Sequence, residues 1–238
     1  MTSFVCLHGM LGAPSSFDAV RALVPAACEL VAPWLPGHGP SKHALPSTFD
    51  DAVSEMAATI PDRCVVVGYS LGGRLALALA REVSLAGLVL VGVHPGIDPG
   101  ERAARAAWDD EQAALAARDL PALVDRWERL DVFASQTDVA RKAQRPTRLA
   151  HDPARVAWAL SALGQGRMPD LRPTLAEIDA PTRFLVGELD ARLVAARERL
   201  HVSRNVRTIV VPGKGHNLIL EAPHVVAEQI ASLHQELS

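Results

Sequence analysis

The sequence predicts an α/β fold with a parallel sheet, and three observations lead to that prediction. Short β-rich runs alternate with longer helical patterns, which is typical of βαβ units. The strand-like runs are apolar throughout, as expected where helices cover both faces of a sheet. The alternation stops after Gly92, and residues 97–178 show only helical patterning. We therefore expect one sheet whose two halves are separated in sequence by a helical segment.

Six short apolar runs are predicted to be the strands of this sheet. They are Phe4–His8, Glu29–Pro33, Cys64–Tyr69, Leu88–Gly92, Arg183–Gly187 and Arg207–Val211. Helical candidates lie between and after them. They are Phe17–Leu23, Phe49–Ile60, Leu71–Val83, Leu193–Leu200 and Pro223–Glu236.

The long helical segment has no strand of its own to cover, so its helices must pack on another part of the molecule. The carboxyl edge of the sheet is the free surface, and open α/β sheets bind their ligands at that edge. We therefore predict that residues 97–176 form a helical cap, or lid. Residues 1–96 and 177–238 would form the core beneath it.

Composition describes a globular protein of one elaborated domain. Hydrophobic residues make up 49% of the 238 residues and charged residues 21%, as in soluble proteins. The formal net charge of -3 provides no general attraction to nucleic acid or to an anionic membrane. The apolar stretches are shorter than the roughly 18 residues of a membrane span. Met1 leads directly into the first apolar run, so we expect no signal peptide.

The three cysteines, Cys6, Cys28 and Cys64, lie in or beside strand-like runs. Their number is odd and their spacing does not match a metal site, so we expect buried thiols in a reducing cytoplasm. We predict neither a metal ion nor another cofactor.

The stretch from Val65 to Leu77 is the most informative part of the chain. It joins a β-branched run, the sequence Gly68-Tyr69-Ser70-Leu71-Gly72 and an Ala/Leu helix without a break. This order is what a nucleophile elbow requires, because the strand presents the serine on a tight turn and glycines avoid collisions there. Ser70 is therefore the candidate nucleophile. The structural alternative is an ordinary turn whose serine caps the helix.

Two further post-strand loops carry the partners that a serine nucleophile needs. Asp190 follows the strand at Arg183–Gly187 and is the better candidate for the orienting acid, with Glu188 as the alternative. His216 lies in a glycine loop after the last strand, where it can reach Ser70 and accept its proton. The order Ser, Asp, His along the chain is the order found in α/β hydrolases.

Two backbone N–H groups are expected to form an oxyanion hole. One is that of Leu71, which follows the nucleophile, and the other is that of Met10 in the loop after the first strand. We interpret His38, in the loop after the second strand, as structural.

These motifs together resemble the α/β-hydrolase superfamily over essentially the whole chain. They are His8-Gly9 with a second glycine at Gly12, Pro36-Gly37-His38-Gly39, the Gly-x-Ser-x-Gly elbow, Asp190 and the Gly215-His216 loop. The sheet begins at the strand that carries His8, so the two strands that usually precede it are missing. The resemblance therefore implies an α/β-hydrolase fold with a trimmed sheet of about six parallel strands.

Further stretches resemble the SHCHC synthases of menaquinone biosynthesis. They are Gly68 to Arg74, Val93 to Ile97, Arg102 to Arg105, Trp127 with Val132 to Ser135, Met168 to Leu171, and Gly187 to Asp190. Those lyases eliminate pyruvate from 2-succinyl-5-enolpyruvyl-6-hydroxy-3-cyclohexene-1-carboxylate. The product is 2-succinyl-6-hydroxy-2,4-cyclohexadiene-1-carboxylate (SHCHC). The resemblance implies that Ser70, activated by His216 and Asp190, acts as a base on a ring C–H.

The resemblance also implies a small polycarboxylate substrate, whose three carboxylates require fixed cations. Arg74 lies one turn into the elbow helix beside Ser70, and Arg105 and Arg148 match arginines of the family's lid. Tyr69 and Trp127 are candidates to line the pocket, although either residue could belong to the core.

One departure leaves other functions open. Many relatives have a second histidine two residues after the Gly-His-Asn sequence, whereas this chain has Ile219 there. A carboxylesterase or C–C bond hydrolase of the same fold is the first alternative. A hydrolase fold kept as a non-catalytic ligand receptor is the second. The sequence leaves the oligomeric state open.

Overall fold

The computed structural model describes residues 3–40 and 42–238, and within them the strands form one parallel six-stranded sheet. Its strands are β1 (Phe4–Leu7), β2 (Leu30–Val31), β3 (Val65–Tyr69), β4 (Gly87–Val91), β5 (Thr182–Gly187) and β6 (Val206–Val211). The spatial order is β2-β1-β3-β4-β5-β6. The predicted α/β fold, its six strands and their parallel pairing are thus confirmed.

The strand order reverses direction at β1. This strand pairs with β2 on one side and with β3 on the other, with Phe4 opposite both Leu30 and Val65. The loops that follow β1 and β3 therefore leave the sheet side by side and then separate. This topological switch point is where open α/β sheets bind their ligands, and it brings the loop of Met10 next to Ser70.

Eleven α-helices are found in the described residues. They are α1 (Asp18–Arg21), α2 (Phe49–Ala57), α3 (Leu71–Leu79), α4 (Arg102–Arg118), α5 (Leu120–Trp127), α6 (Asp138–Leu149), α7 (Pro153–Ala162), α8 (Arg172–Glu177), α9 (Ala191–Arg197), α10 (Leu218–Glu221) and α11 (Pro223–Glu236). No helix in this part of the chain is long and apolar enough to cross a membrane.

Two apolar layers hold the helices to the sheet because alternate strand residues point to opposite faces. One layer contains Val66 and Leu88 with the buried side chains of α2 and α3. The other contains Val65 and Val89 with those of α11. Strands β1, β3, β4 and β5 are buried along their whole length, as the uniformly apolar runs predict.

The outer strands differ from the sequence prediction. Strand β2 is only two residues long, and Val31 is half exposed. Pro33, inside the predicted run, has no N–H to donate to a ladder, and an edge strand lacks a second neighbour to extend it. On the opposite edge, Arg207 of β6 is exposed. Apolar composition therefore predicted these strands to be longer or more buried than they are.

Between β4 and β5 the chain is helical from α4 to α8. Helix α4 packs along α7, and Leu120, Leu123 and Leu160 of this segment enclose a separate apolar cluster. Leu11, from the loop after β1, also belongs to that cluster. The helical segment thus packs directly on the loop that carries Met10.

Candidate active site

Ser70 lies on a sharp turn between β3 and α3. Its φ is +51° and its ψ is -110°, a conformation that is strained for a residue with a side chain. The Ser70 N–H donates to the carbonyl of Val91 at 2.9 Å. A Cβ on Gly68 would lie 2.5 Å from Gly73 Cα, so only glycine lets the strand and the helix approach this closely. The sequence Gly-x-Ser-x-Gly therefore folds into the elbow that it predicts.

His216 and Asp190 extend from Ser70 as a hydrogen-bonded chain. The Ser70 Oγ lies 3.0 Å from His216 Nε2, and His216 Nδ1 lies 2.7 Å from Asp190 Oδ2. The second Asp190 oxygen accepts the N–H of Leu193 at 3.3 Å. Burial acts to raise the pKa of Asp190, but the hydrogen bonds from His216 and from the Leu193 N–H, together with the electrostatic effects of His216 and His94, outweigh it and leave that pKa below its usual value. The carboxylate is therefore ionised at neutral pH, and it favours a proton on His216 Nδ1.

Glu188, the alternative orienting acid, is engaged elsewhere. Its carboxylate accepts the N–H of Gly213 at 2.8 Å, in the loop that precedes the histidine. A second carboxylate, which no sequence motif predicts, supports the same loop. Glu221 accepts the N–H groups of Gly215 and Asn217 at 2.9 and 3.3 Å. These two residues flank His216, so the carboxylate holds the backbone on both sides of the imidazole.

The two backbone donors proposed for an oxyanion hole lie at adjoining loops. The N–H of Gly72 donates to the carbonyl of His8 at 3.0 Å, which fixes the start of α3 against the end of β1. The backbone hydrogen bonds found among residues 3–40 and 42–238 do not use the N–H of Met10 or of Leu71. Both donors are thus available to an oxygen atom of a ligand.

Ser70 and His216 line a cavity of about 650 Å³, a volume typical of small-molecule sites. Arg74, Arg105 and Trp127 line the same cavity. The structure therefore brings these three predicted binding residues to the candidate catalytic group.

Arg74 is a buried cation in the cavity wall. Its guanidinium donates to the carbonyl of Leu163 at 2.8 Å and to Met168 Sδ at 3.5 Å. It has no carboxylate partner among the ion pairs of the described residues. Burial, together with the nearby charge of Arg105, lowers the pKa of Arg74 to about 9. An anionic ligand would supply the missing counter-charge.

Arg105 is already paired. Its Nε donates to Asp109 at 2.8 Å and its NH1 group to Gln165 at 2.5 Å, while its guanidinium lies 4.9 Å from the Trp108 ring centre. Arg105 therefore presents a fixed orientation, but its charge is partly neutralised.

Arg148 and Tyr69 lie elsewhere. They line a second cavity of about 230 Å³. Met10 and Phe133 line both cavities and so stand between them. Arg148 donates to Glu128 at 2.9 Å and to Gln144 at 3.0 Å, so its buried charge also has a partner.

Five polar residues of the first cavity had no predicted site role, and they are His94, Asp109, Asp131, Gln165 and Arg192. His94 follows β4, and its Nδ1 lies 2.7 Å from the carbonyl of Gly96. Arg192 follows Asp190 and lies 3.8 Å from Glu101, and Gln165 is the partner of Arg105. The sequence could have indicated His94 and Arg192, because they follow the predicted strands β4 and β5. The loops after parallel strands meet at one edge of the sheet. Gln165 lies in a helical segment without a comparable signal.

The sequence profile described as the alpha/beta hydrolase family matches residues 4–229. The chain belongs to the alpha/beta hydrolase family. The match spans the sheet, the elbow, the helical segment and the histidine loop, and it confirms the superfamily resemblance of the motifs.

Within this family the chain is similar to SHCHC synthases, among other proteins. It is 33% identical to the 2-succinyl-6-hydroxy-2,4-cyclohexadiene-1-carboxylate synthase of Enterobacter sp. (strain 638), over 96% of this chain and 90% of that protein. A putative synthase of the same name from Bacillus subtilis (strain 168) is 30% identical over 96% of this chain and 90% of that protein. The structure of MenH from S. aureus superposes with a TM-score of 0.91 at 26% identity, over 99% of this chain and 94% of that one. The narrower resemblance is thereby confirmed.

Proposed function

We propose that this chain is an SHCHC synthase-type carbon–oxygen lyase of menaquinone biosynthesis. It would eliminate pyruvate from 2-succinyl-5-enolpyruvyl-6-hydroxy-3-cyclohexene-1-carboxylate. The relatives carry the name of that reaction's product. The observation that supports the proposal best is the Ser70–His216–Asp190 chain opening into a cavity with Arg74, a cation without a carboxylate partner among the described residues.

The proposed chemistry is a proton abstraction followed by loss of a leaving group. Ser70 Oγ removes the ring proton next to the succinyl carbonyl while His216 Nε2 takes the hydroxyl proton of Ser70. The C–O bond to the enolpyruvyl group then breaks, and the enolate that leaves takes up the proton held by His216 to become pyruvate, which restores the neutral imidazole. No acyl-enzyme is needed. Asp190 stabilises the imidazolium that exists between the two proton transfers.

The oxyanion donors fit this step as well as they would fit an acyl transfer. Removing a proton beside a carbonyl places negative charge on the carbonyl oxygen. Backbone N–H groups stabilise such charge at little reorganisation cost. We assign this role to the N–H groups of Met10 and Leu71.

We assign substrate carboxylates to the arginines. Arg74 would bind one carboxylate directly, and Arg105, oriented by Asp109, would bind another. Arg148 lines the second cavity, so it would act on a substrate arm that passes Met10 and Phe133. Trp127 would pack against the ring from the cavity wall, and Tyr69 would pack behind His216, with ring centres 5.5 Å apart.

We further propose that residues 97–176 act as the cap of this site over a core of residues 1–96 and 177–238. The cavity is lined from both parts, since Arg105 and Trp127 belong to the segment and Ser70 and His216 to the core. The cytoplasm is the proposed compartment, and it agrees with three free cysteines, since disulfides are rare in that compartment.

Pyruvate release tests the proposed function. Purified chain given the enolpyruvyl substrate is expected to release one pyruvate per SHCHC formed, followed with lactate dehydrogenase and NADH. Ser70→Ala should abolish release, because the base is lost. Brisk cleavage of p-nitrophenyl esters without pyruvate would indicate the hydrolase alternative instead. Ligand binding that survives in Ser70→Ala, without turnover by the unaltered chain, would indicate a receptor.

Arg74→Ala is expected to lower kcat/KM for the tricarboxylate at least 10-fold, since a charge-assisted contact contributes about 1.5–3 kcal/mol. Cleavage of a neutral ester should change much less, because it has no anion to bind. Arg81→Ala is the matched control, since Arg81 is exposed just beyond the other end of α3. An unaltered kcat/KM in folded Arg74→Ala would show that Arg74 does not bind the substrate.

A further inference from the structure

Three histidines meet beneath the loop that carries Met10. His8 directly follows β1, His38 lies in the loop after β2, and His151 lies between α6 and α7. The ring centre of His38 lies 5.1 Å from that of His8 and 5.2 Å from that of His151. All three rings are buried. None of them contributes to the chemistry proposed above.

These rings act as hydrogen-bond acceptors for backbone N–H groups. His38 Nε2 accepts the N–H of Leu11 at 3.0 Å, and His8 Nε2 accepts that of Leu35 at 3.3 Å. The other nitrogen of His38 lies 3.1 Å from the carbonyl of Pro36, so the proton belongs on Nδ1 and Nε2 is free to accept. The imidazole rings of His8 and His38 thus link the loop after β1 to the loop after β2.

Leu11 needs such support. Its φ is +58°, in the left-handed region that is uncommon for residues other than glycine. The turn is closed on its other side by the Gly12 N–H, which donates to the Gly9 carbonyl at 3.0 Å. Met10 lies inside this turn. The peptide plane of Met10–Leu11 is therefore held in place by the His38 bond at its N–H.

We propose that His38 is a positioning residue that orients the Met10 loop, and with it the Met10 N–H, toward the oxygen that becomes negative. The inference rests on the proposed use of that N–H, but not on the identity of the substrate. Any reaction that Ser70 carries out through an oxyanion should depend on it. A misplacement of about 1 Å in such a group can cost about 100-fold in rate.

The electrostatics of the cluster favour this role. Burial, reinforced by the proximity of His8 and His151, holds the pKa of His38 well below its usual value. Burial also lowers the pKa of His8 to about 4 and lowers that of His151. His38 therefore stays neutral near pH 7. A proton on Nε2 would place a donor against the Leu11 N–H and break the contact.

Two paired substitutions of His38 distinguish a positioning role of this residue from a packing role. His38→Gln can place a carbonyl oxygen where Nε2 lies, whereas His38→Met has the same length and ends in a methyl group. We expect kcat to fall about 10- to 100-fold in His38→Met with KM within twofold, and to stay within threefold of the unaltered value in His38→Gln. His38→Asn, whose amide is too short to reach Leu11, replaces the Met variant if that chain does not fold.

Two readouts keep this test independent of the proposed function. One is pyruvate release, and the other is the rate at which a fluorophosphonate phosphonylates Ser70, which also builds negative charge on an oxygen. If the unaltered chain releases no pyruvate, the proposed function fails, and the labelling rates still test His38. Thr182→Val is the control for lost stability. The buried hydroxyl of Thr182 donates a hydrogen bond to the Ala180 carbonyl at the start of β5, at the end of the strand away from the site.

Several results would overturn the inference. They are an unchanged rate in folded His38→Met, an effect confined to KM, or a rate in His38→Gln as low as that in His38→Met. A His38→Gln chain that fails to fold, or an unaltered chain that neither releases pyruvate nor is labelled by the probe, has the same consequence. Equal rate losses in Thr182→Val would assign the effect to stability alone.

Discussion

Asp190→Asn is expected to lower kcat about 10,000-fold while KM changes little. The reason lies in the proton that His216 must carry. Asp190 accepts from His216 Nδ1 at 2.7 Å, which leaves Nε2 free to accept from Ser70 at 3.0 Å. An amide can donate to Nδ1 and so move the proton to Nε2. His216 in that tautomer cannot take the proton of Ser70.

The change is close to isosteric, so the fold should survive. The second side-chain oxygen of Asp190 accepts the N–H of Leu193 at the start of α9, and an Asn can keep that bond. Steady-state pyruvate release and a thermal unfolding curve are the measurements. A Tm within a few degrees of the unaltered protein would show that the loss is one of chemistry.

Glu188→Gln is the matched control, because Glu188 is the other acid after β5 and holds Gly213 instead of the imidazole. We expect less than a tenfold effect on kcat there. Equal losses in the two variants would contradict the assignment of Asp190, and a larger loss in Glu188→Gln would reverse it.

Gly72→Ala is expected to destabilise the protein by about 3 kcal/mol or more, at the upper end of the cost of overpacking. A Cβ on Gly72 would lie 2.1 Å from the Leu7 carbonyl oxygen and 2.5 Å from that of His8. Both atoms belong to the backbone and cannot move aside as a flexible side chain can. Alanine gains about 1 kcal/mol over glycine in a helix, which is too little to offset the collision.

Urea unfolding of Gly72→Ala and Gly100→Ala measures the difference. A Cβ on Gly100 would meet no atom within 4 Å beyond its chain neighbours, among the residues that the structure describes. That substitution should therefore change the free energy of unfolding by no more than about 0.5 kcal/mol. The Gly72 variant should also lose activity, because the elbow and the Met10 loop separate. A Gly72→Ala protein with unaltered stability would mean that α3 can shift away from β1 without cost.

The placement of the three triad candidates was predictable because each occurs at the end of a recognisable run. Ser70, Asp190 and His216 each follow an apolar strand, and parallel strands bring their carboxyl ends to one edge. Glu221 was not predictable in this way. It reaches Gly215 and Asn217 from α10, and an acid in a short helix has no local pattern that distinguishes it from a solvated one.

The arginines also divide into one that the local sequence could place and one that it could not. Arg74 could be placed beside Ser70, since it lies one helical turn along α3. Arg148 could only be aligned by family resemblance, and it lines the second cavity with Glu128 and Gln144 as partners. Which cavity a helix faces depends on how α4 to α8 pack on one another. That packing is a property of many weak contacts and not of any one segment.

Local patterns in the chain were enough to specify the parallel sheet, the elbow at Ser70 and the positions of Asp190 and His216 after later strands, because apolar periodicity and turn chemistry act over a few residues. Long-range packing established that Arg74 lacks a carboxylate partner among the described residues and that His38 bonds the loop of Met10. Both findings depend on contacts between residues far apart in the chain. The energy of such a contact is set by the distance between the groups, by their burial and by the surrounding dipoles. For the same reason, a histidine that the motifs mark as structural lies where it can orient the oxyanion loop.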